Sequence, residues 1–379
     1  MSIERIIKEE FQIDEGICYL NHAAISPWPE RTSKAVQQFA VENSSHGASK
    51  YSSWLKLEHT LKIQLKNLIN APSHNDIAIL KSTSEALSVV AEGINWKFGD
   101  NIVSTDEEFP SNRIPWLAQE KKGVELRQIS LSQNLFPEEA LISACDDKTR
   151  LLTISSVQYA TGKRLDLMLL GEYCHKKKIL FCVDAIQSLG AFPFDCQAIK
   201  ADFVMADAHK WMLGPEGIAL FYCKEEIRSS LILHQYGWHM LEDIGNYDSN
   251  DLKYSNTGRR FECGSPNMLG IHALSASLSL IEEVGMKNIS NNIINNVTYM
   301  IELLKRIPNL KFISPTNKNH YAGIITFTIE GVNIPQLYSK LTENMLICAN
   351  RKGGIRFSPH FYTSKKIIDK SLEILTRSI

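Results

Sequence analysis

The amino-acid sequence predicts an α/β protein: a large domain built on a mostly parallel central sheet, followed by a smaller α+β domain at the C-terminal end. Three observations predict it. From about residue 76 short apolar runs of strand length recur, and longer amphipathic stretches lie between most of them. After about residue 260 that alternation gives way to two long helical stretches. Strands of a parallel sheet are covered by helices on both faces, so they read as continuous apolar runs rather than as alternation.

In chain order the predicted strands are Ile77–Leu80, Asn101–Ser104, Val124–Ile129, Leu151–Ser155, Ile179–Val183, Phe203–Ala206 and Ile218–Tyr222. Between them, Ser84–Ile94, Pro137–Ala144 and Leu167–Lys178 have the length and patterning of covering helices. Farther on, helices over Pro266–Val284 and about Ile289–Arg306 precede a strand over Gly323–Ile329 and a helix over Ile334–Leu341. A boundary near Gly285 divides a large domain, 16–285, from a small one, 286–379, to which about residues 1–15 are added. No internal repeat or low-complexity segment interrupts the pattern.

Composition narrows the function. The 379 residues are 44% hydrophobic and 22% charged, enough to bury a large core without disulfide or metal staples. A net charge of -1 gives no strong attraction to nucleic acid or an anionic membrane, and Lys176, Lys177 and Lys178 read as the solvated end of a helix. None of the eight cysteines forms a C-x-x-C pair, and several lie in apolar runs, as Cys182 does, where a free cysteine is a small buried hydrophobe. No apolar stretch approaches the roughly 20 residues of a membrane helix. The polar start, Met1-Ser-Ile-Glu-Arg5, lacks a signal-peptide core. The expectation is a cytoplasmic protein with reduced thiols and no membrane, nucleic-acid or metal partner.

Open α/β sheets bind ligands at the carboxyl ends of their strands, and three polar groups fall there. Ser82, Thr83 and Ser84 follow Ile77–Leu80, and Ser82 and Glu85 have capping-box spacing. Alone this reads as a helix cap; the alternative is a phosphate cradle of hydroxyls and free N–H groups. Asp184, with Gln187 beyond it, follows Ile179–Val183. It reads as a helix cap or as a buried carboxylate that needs a cationic partner. Lys210 stands in Asp207-Ala-His-Lys-Trp-Met-Leu-Gly-Pro-Glu-Gly217 after Phe203–Ala206. It is a surface lysine of a loop, or an amine made nucleophilic by desolvation. The combination decides: a phosphate cradle, a carboxylate and a lysine, in that order in one sheet, suit a phosphate-bearing aldehyde cofactor. Metal-ligand spacing, a Gly-x-Gly-x-x-Gly turn after a strand and a Gly-x-Ser-x-Gly elbow are all missing.

These segments resemble the class V aminotransferases and cysteine desulfurases. The resemblance rests on Tyr19-Leu-Asn-His-Ala-Ala-Ile-Ser-Pro27, Ser82-Thr-Ser-Glu-Ala86, Glu108-Phe-Pro-Ser-Asn112, Val183-Asp-Ala-Ile-Gln187, His209-Lys210 with Gly214-Pro-Glu-Gly217, Arg260-Phe-Glu-Cys-Gly-Ser265 and Gly354-Ile-Arg-Phe-Ser-Pro-His-Phe-Tyr362. It covers nearly the whole chain and implies the aspartate-aminotransferase-like fold with pyridoxal 5'-phosphate as cofactor. It implies that Lys210 carries the cofactor and moves the substrate's α-proton. Asp184 would pair with the ring nitrogen, Gln187 with the ring hydroxyl, and Thr83, Ser84 and His209 with the phosphate. Asp207 stands where many relatives have a serine; a carboxylate would repel the phosphate, so its alternative role is to orient His209. Phe109 replaces the desulfurase ring-stacking histidine and can still stack by its face. Tyr159 replaces an asparagine near the ring. Arg356 would bind the substrate carboxylate, and His22 would lie close enough to touch the substrate. Ser265 would reach the phosphate of the neighbouring subunit in a homodimer with shared active sites. Cys348 reads as a buried strand cysteine, which argues against a persulfide carried on this chain. The leading expectation is an aminotransferase acting on an amino acid; the second is a C–S or C–Se lyase, and the third a non-catalytic relative that keeps the fold.

Overall fold

A computed structural model describes residues 3–134, 136–248, 250–318 and 320–379; residues 1 and 2 of the expected N-terminal segment lie outside them. Helix α1 (Ile3–Glu10) leads to strand β1 (Cys18–Tyr19) and to helices α2 (Glu30–His46) and α3 (Tyr51–Leu68). The strands that follow are β2 (Ile77–Leu80), β3 (Asn101–Thr105), β4 (Glu125–Ile129), β5 (Thr149–Ser155), β6 (Leu180–Asp184), β7 (Phe203–Asp207) and β8 (Ala219–Cys223). They form one sheet in the order β2-β8-β7-β6-β5-β3-β4. Only β8 runs against the rest, pairing antiparallel with both β2 and β7, so the sheet is mostly parallel as expected.

The apolar runs split cleanly between two buried layers. Leu152, Ile154, Phe181, Val183 and Val204 belong to one hydrophobic cluster. Their neighbours Leu151, Cys182, Phe203 and Met205 belong to another. Side chains alternate across a strand, and both faces here are covered, which is why alternation was absent from the sequence. Helices α4 (Thr83–Gly93), α5 (Ile114–Leu117), α6 (Pro137–Ser143) and α7 (Leu167–Lys177) supply part of the cover.

Beyond the short helix α8 (Glu225–Arg228), helix α9 (Met268–Val284) packs against α2 and α3. It starts two residues after the expected Pro266 because the Asn267 side chain caps it, accepting from Gly270 N–H. Gly285, at φ 81°, separates α9 from α10 (Met286–Leu304). The second sheet holds β9 (Leu310–Phe312), β10 (Ile325–Ile329), β12 (Ala349–Arg351) and β13 (Gly354–Phe357) in the order β12-β13-β10-β9, while β11 (Leu346–Ile347) pairs with β1. Helices α11 (Ile334–Glu343) and α12 (Lys365–Ser378) complete the chain. Phe327, Phe357, Leu341 and Leu375 share a core that also takes Cys18 and Leu20 from the N-terminal segment, whereas Ile6 of α1 joins the larger cluster. Chain that precedes α2 therefore serves both cores.

Candidate active site

The carboxyl ends of β2, β3, β5, β6 and β7 lead to one edge of the sheet, where a cavity of about 290 Å³ opens. Lys210 lies on the turn after β7, held by Ala208 N–H to Ile218 O at 3.1 Å and Leu213 N–H to Lys210 O at 3.1 Å. It is only 9% exposed. Burial lowers its ammonium to about 8, against the opposing pull of Asp184. Asp184 ends β6, with one carboxylate oxygen accepting from Ile186 N–H at 3.0 Å. Burial raises its carboxyl to about 6. A buried acid with one backbone donor and a buried amine with no ion pair among the described residues thus face one cavity. Each has been stripped of water without receiving a full set of partners.

Thr83 opens α4, and its hydroxyl accepts from Asp207 N–H at 2.9 Å. Ser82 caps the helix by accepting from Glu85 N–H at 3.1 Å. The expected box is not reciprocal, because Glu85 reaches back to Lys81 N–H at 2.7 Å rather than to Ser82. Ser84 lies exposed just beyond the cavity lining and donates to Ser111 Oγ at 2.7 Å; Ser111 does line it. His209 also lines the cavity, its Nδ1 is buried without a partner, and burial lowers it to about 4, so its imidazole is neutral. Asp207 ends β7, and burial raises its carboxyl to about 6. It does not orient His209: no hydrogen bond joins the two among the described residues, and that ring nitrogen is free.

Gln187 lines the cavity with an amide already engaged, Nε2 to Ala23 O at 3.1 Å and Oε1 from Trp211 Nε1 at 2.7 Å. One N–H of its Nε2 remains for a ligand. Phe109, 42% exposed, has its ring centroid 5.7 Å from Lys210 Nζ and 5.2 Å, edge-on, from that of Tyr159. Arg356 is 2% exposed, and it donates to Tyr159 O at 2.6 Å and Asn21 Oδ1 at 3.4 Å. Its Nε has no partner, and burial lowers the guanidinium to about 9.

Two expected residues lie elsewhere. His22 does not face the cavity: Nδ1 contacts Ser358 O and Nε2 contacts Tyr362 Oη, both at 2.7 Å, in a wholly buried position. Its neighbours Ala23 and Ala24 take the lining positions. The segment reaches the cavity, but the chain turns the His22 ring into the seam with the C-terminal segment. Ser265 is exposed and outside this chain's own cavity. Cys348 falls between β11 and β12, buried, with its thiol raised to about 12 by burial.

Several residues at or beside the cavity were not singled out. Glu108 accepts from Ser155 N–H at 2.7 Å and Ser155 Oγ at 2.5 Å, and burial raises it to about 7. Ser155, Glu216 and Arg351 line the cavity. Glu108 and Ser111 flank Phe109 in a quoted motif, so a signal existed; Arg351 carried none beyond its spacing from Arg356. A wider cleft of about 850 Å³, bordered by Arg164, Phe192, Ile294 and His320, gathers no counterpart of the Lys210–Asp184 pair. Glu58, His239 and Glu262 place ligand atoms within 4.8 Å of one another. Lys62 supplies the cation there, 2.8 Å from Glu262 and 3.4 Å from Glu58.

The unpartnered His209 Nδ1, the unpartnered Arg356 Nε, the desolvated Lys210 amine and the Asp184 carboxylate are the donors and acceptor that a phosphorylated pyridine aldehyde and an amino acid would use. The family model described as aminotransferase class-V matches residues 18–369. The chain belongs to the class V aminotransferase family. That family works with pyridoxal phosphate, and the residues here fit it. Among its relatives, a probable cysteine desulfurase of Methanothermobacter thermautotrophicus is 28% identical over 374 residues, covering 92% of each chain. A cysteine desulfurase of Escherichia coli is 29% identical over 324 residues, covering 83% of this class V chain and 78% of that one. The apo cysteine desulfurase from Thermococcus onnurineus superposes with a TM-score of 0.90 at 23% identity, covering 100% of this chain and 98% of that one. A cystine C–S lyase in complex with its reaction product cysteine persulfide superposes at 0.88 and 21% identity, covering 95% and 97%. These structural likenesses establish the fold: the aspartate-aminotransferase-like architecture with a mostly parallel central sheet.

Proposed function

We propose that this class V protein is a pyridoxal-phosphate-dependent C–S lyase that cleaves the Cβ–S bond of a cysteine-derived amino acid by β-elimination. The observation that carries the reading is a cavity combining Lys210, Asp184 and Arg356 with no cysteine among the described residues lining it. The relatives' names favour carbon–sulfur chemistry over the transamination expected from the sequence. Sulfur transfer to the protein needs an accessible thiolate, and the thiol closest in sequence to Arg356, Cys348, is buried and held protonated. Elimination needs no such thiol.

Pyridoxal phosphate, when bound, supplies the electron sink for the pair left on the substrate's Cα. Lys210 is the residue that holds it. With cofactor and substrate bound, Lys210 Nζ would take the Cα proton and could return it to the leaving sulfur; burial already lowers this amine toward about 8 in the chain alone. Asp184, which lines the cavity, would accept a hydrogen bond from the ring nitrogen and keep it protonated. Thr83 and His209 would hold the phosphate, with Ser84 at the rim beside Ser111, and Gln187 would offer its spare N–H to the ring hydroxyl. Phe109 and Tyr159 supply aromatic walls. Arg356 fixes the substrate carboxylate through its free guanidinium edge. The protein acts as a homodimer in which Ser265 serves the neighbouring subunit's phosphate site. All eight cysteines are free thiols, which supports a cytoplasmic setting.

The deciding experiment supplies L-cysteine and L-cystine to the holoenzyme and separates the products. Pyruvate and ammonia with reduced sulfur are expected. Alanine with a persulfide on a chain cysteine would replace elimination by desulfuration, and conversion of the cofactor to its aminated form would restore transamination.

A further inference from the structure

The anionic end of an amino acid is served by Arg356, yet the cavity presents a second guanidinium. Arg351 lines it as well. In the β12–β13 hairpin Ala349 pairs with Arg356 and Arg351 with Gly354. Residues directly opposite in an antiparallel pair, and residues two apart in a strand, share a face. Arg351 and Arg356 therefore project from one face of the hairpin, Arg351 toward the turn, opposite a glycine that puts no side chain beside it. Its charge is felt at both Arg356 and Lys210, lowering each further below its ordinary value.

Like charges gathered in this way are costly unless something answers them. Arg356 has carbonyl partners from other segments. Lys352, next in sequence to Arg351, is paired with Glu107 at 2.9 Å. Among the described residues Arg351 is not in ion-pair contact with any carboxylate, and its guanidinium donates to the carbonyl of its own neighbour Asn350 at 2.9 Å. Its side chain is exposed rather than buried in the core.

We propose that Arg351 reads a second carboxylate on the substrate, so that the enzyme acts on S-substituted cysteines whose sulfur substituent ends in a carboxylate, cystine among them. The proposal rests on the C–S lyase reading and names the substrate class for it. With Arg356 on the α-carboxylate and Arg351 farther along the same hairpin face, a two-headed substrate is held at both ends and the Cβ–S bond lies between. In the elimination the Cα–H and Cβ–S bonds break. Sulfur leaves with the bonding pair and takes the proton, as a thiol or, from a disulfide, as a persulfide. The three-carbon remainder takes up water and yields pyruvate and ammonia. No external oxidant or reductant enters.

The test uses a matched pair that differs only in charge, S-(2-carboxyethyl)-L-cysteine and its neutral amide S-(2-carbamoylethyl)-L-cysteine, with wild-type holoenzyme and the variants Arg351→Gln and Arg351→Lys. Binding is read from the change in cofactor absorbance, and KM and kcat from pyruvate release. The wild type is expected to prefer the acid by at least ~10-fold in Kd and KM, the range of one charge-assisted contact, with kcat nearly equal for the two. Arg351→Gln should bring that preference close to one, and Arg351→Lys should keep part of it. A wild-type preference near one, which needs no variant to measure, or a preference unchanged in Arg351→Gln, overturns the proposal. If neither compound yields pyruvate while the absorbance titration still favours the acid, the lyase reading fails and the anion subsite stands. Pyruvate from both at equal KM leaves the lyase and removes the subsite.

Discussion

Lys210 and Asp184 show how a site is made from ordinary residues by controlling their solvation. Neither is unusual in sequence; what changes them is burial at adjacent strand ends. Lys210→Ala is expected to abolish covalent attachment of the cofactor without loss of fold, since it removes a desolvated amine and no described ion pair. Mass analysis after borohydride reduction checks it, and an adduct at full occupancy would reassign the lysine. Because burial lowers this amine to about 8, its neutral, nucleophilic fraction grows as pH rises through that value rather than near 10. At pH 7 about a tenth of it is neutral, so the capture rate of free cofactor by the apoprotein should rise between pH 7 and 9 with a midpoint near 8. A rate still climbing steeply above pH 10 would contradict this. Arg356→Gln should raise KM for amino-acid substrates by about 2–4 kcal/mol in binding, with a smaller effect on kcat; steady-state kinetics will show whether the loss falls there. His22 marks the limit of motif reading at this scale. Its type and place in the chain were legible, but which way the ring turns depended on Ser358 and Tyr362, more than 330 residues away.

Elements set the precision that residues exploit. The seven strands of the main sheet were readable to within a residue or two; the central ones β6, β7 and β8 are buried on both faces and so nearly continuously apolar, while the edge strand β4, Glu125–Ile129, is partly exposed and mixes apolar with charged residues. The short pieces were not: the apolar run Met345-Leu-Ile-Cys-Ala349 reads as one strand, but its two halves pair with different sheets, β11 with β1 and β12 with β13. Propensity is the same in both halves; the partners differ. Packing around the site lysine is tight enough to test. Gly190 has φ 91°, and a Cβ there would come within 2.2 Å of Trp211 O, on the residue after Lys210. Gly190→Ala should therefore destabilise the protein by about 3 kcal/mol, through left-handed strain and a backbone clash together. Thermal melting checks this, and a melting temperature like that of the wild type would show that the turn carrying Lys210 can give way.

For the whole molecule the decisive feature is that one sheet edge collects residues from nearly the full length of the chain, from Ala23 to Arg356. Sedimentation equilibrium is expected to give twice the chain mass of 42.8 kDa, and Ser265→Ala should weaken cofactor affinity in the dimer. A fully active monomer would remove the shared site. No helix among the described residues is long and apolar enough to cross a membrane. Patterning was enough for the fold class and for the places of the main-sheet strands along the chain, and short motifs pointed to the segments that line the cavity. These are recorded locally, in runs, caps and short motifs, because burial on both faces and strand-end chemistry each leave a mark within a few residues. The direction of His22, the freedom of His209 from Asp207, the Glu108–Ser155 contact and the meeting of Arg351 with Arg356 and Lys210 in one cavity were decided by the tertiary structure alone. Each joins segments that are distant in the chain or turns on which face of an element is buried, and composition and spacing carry no record of that.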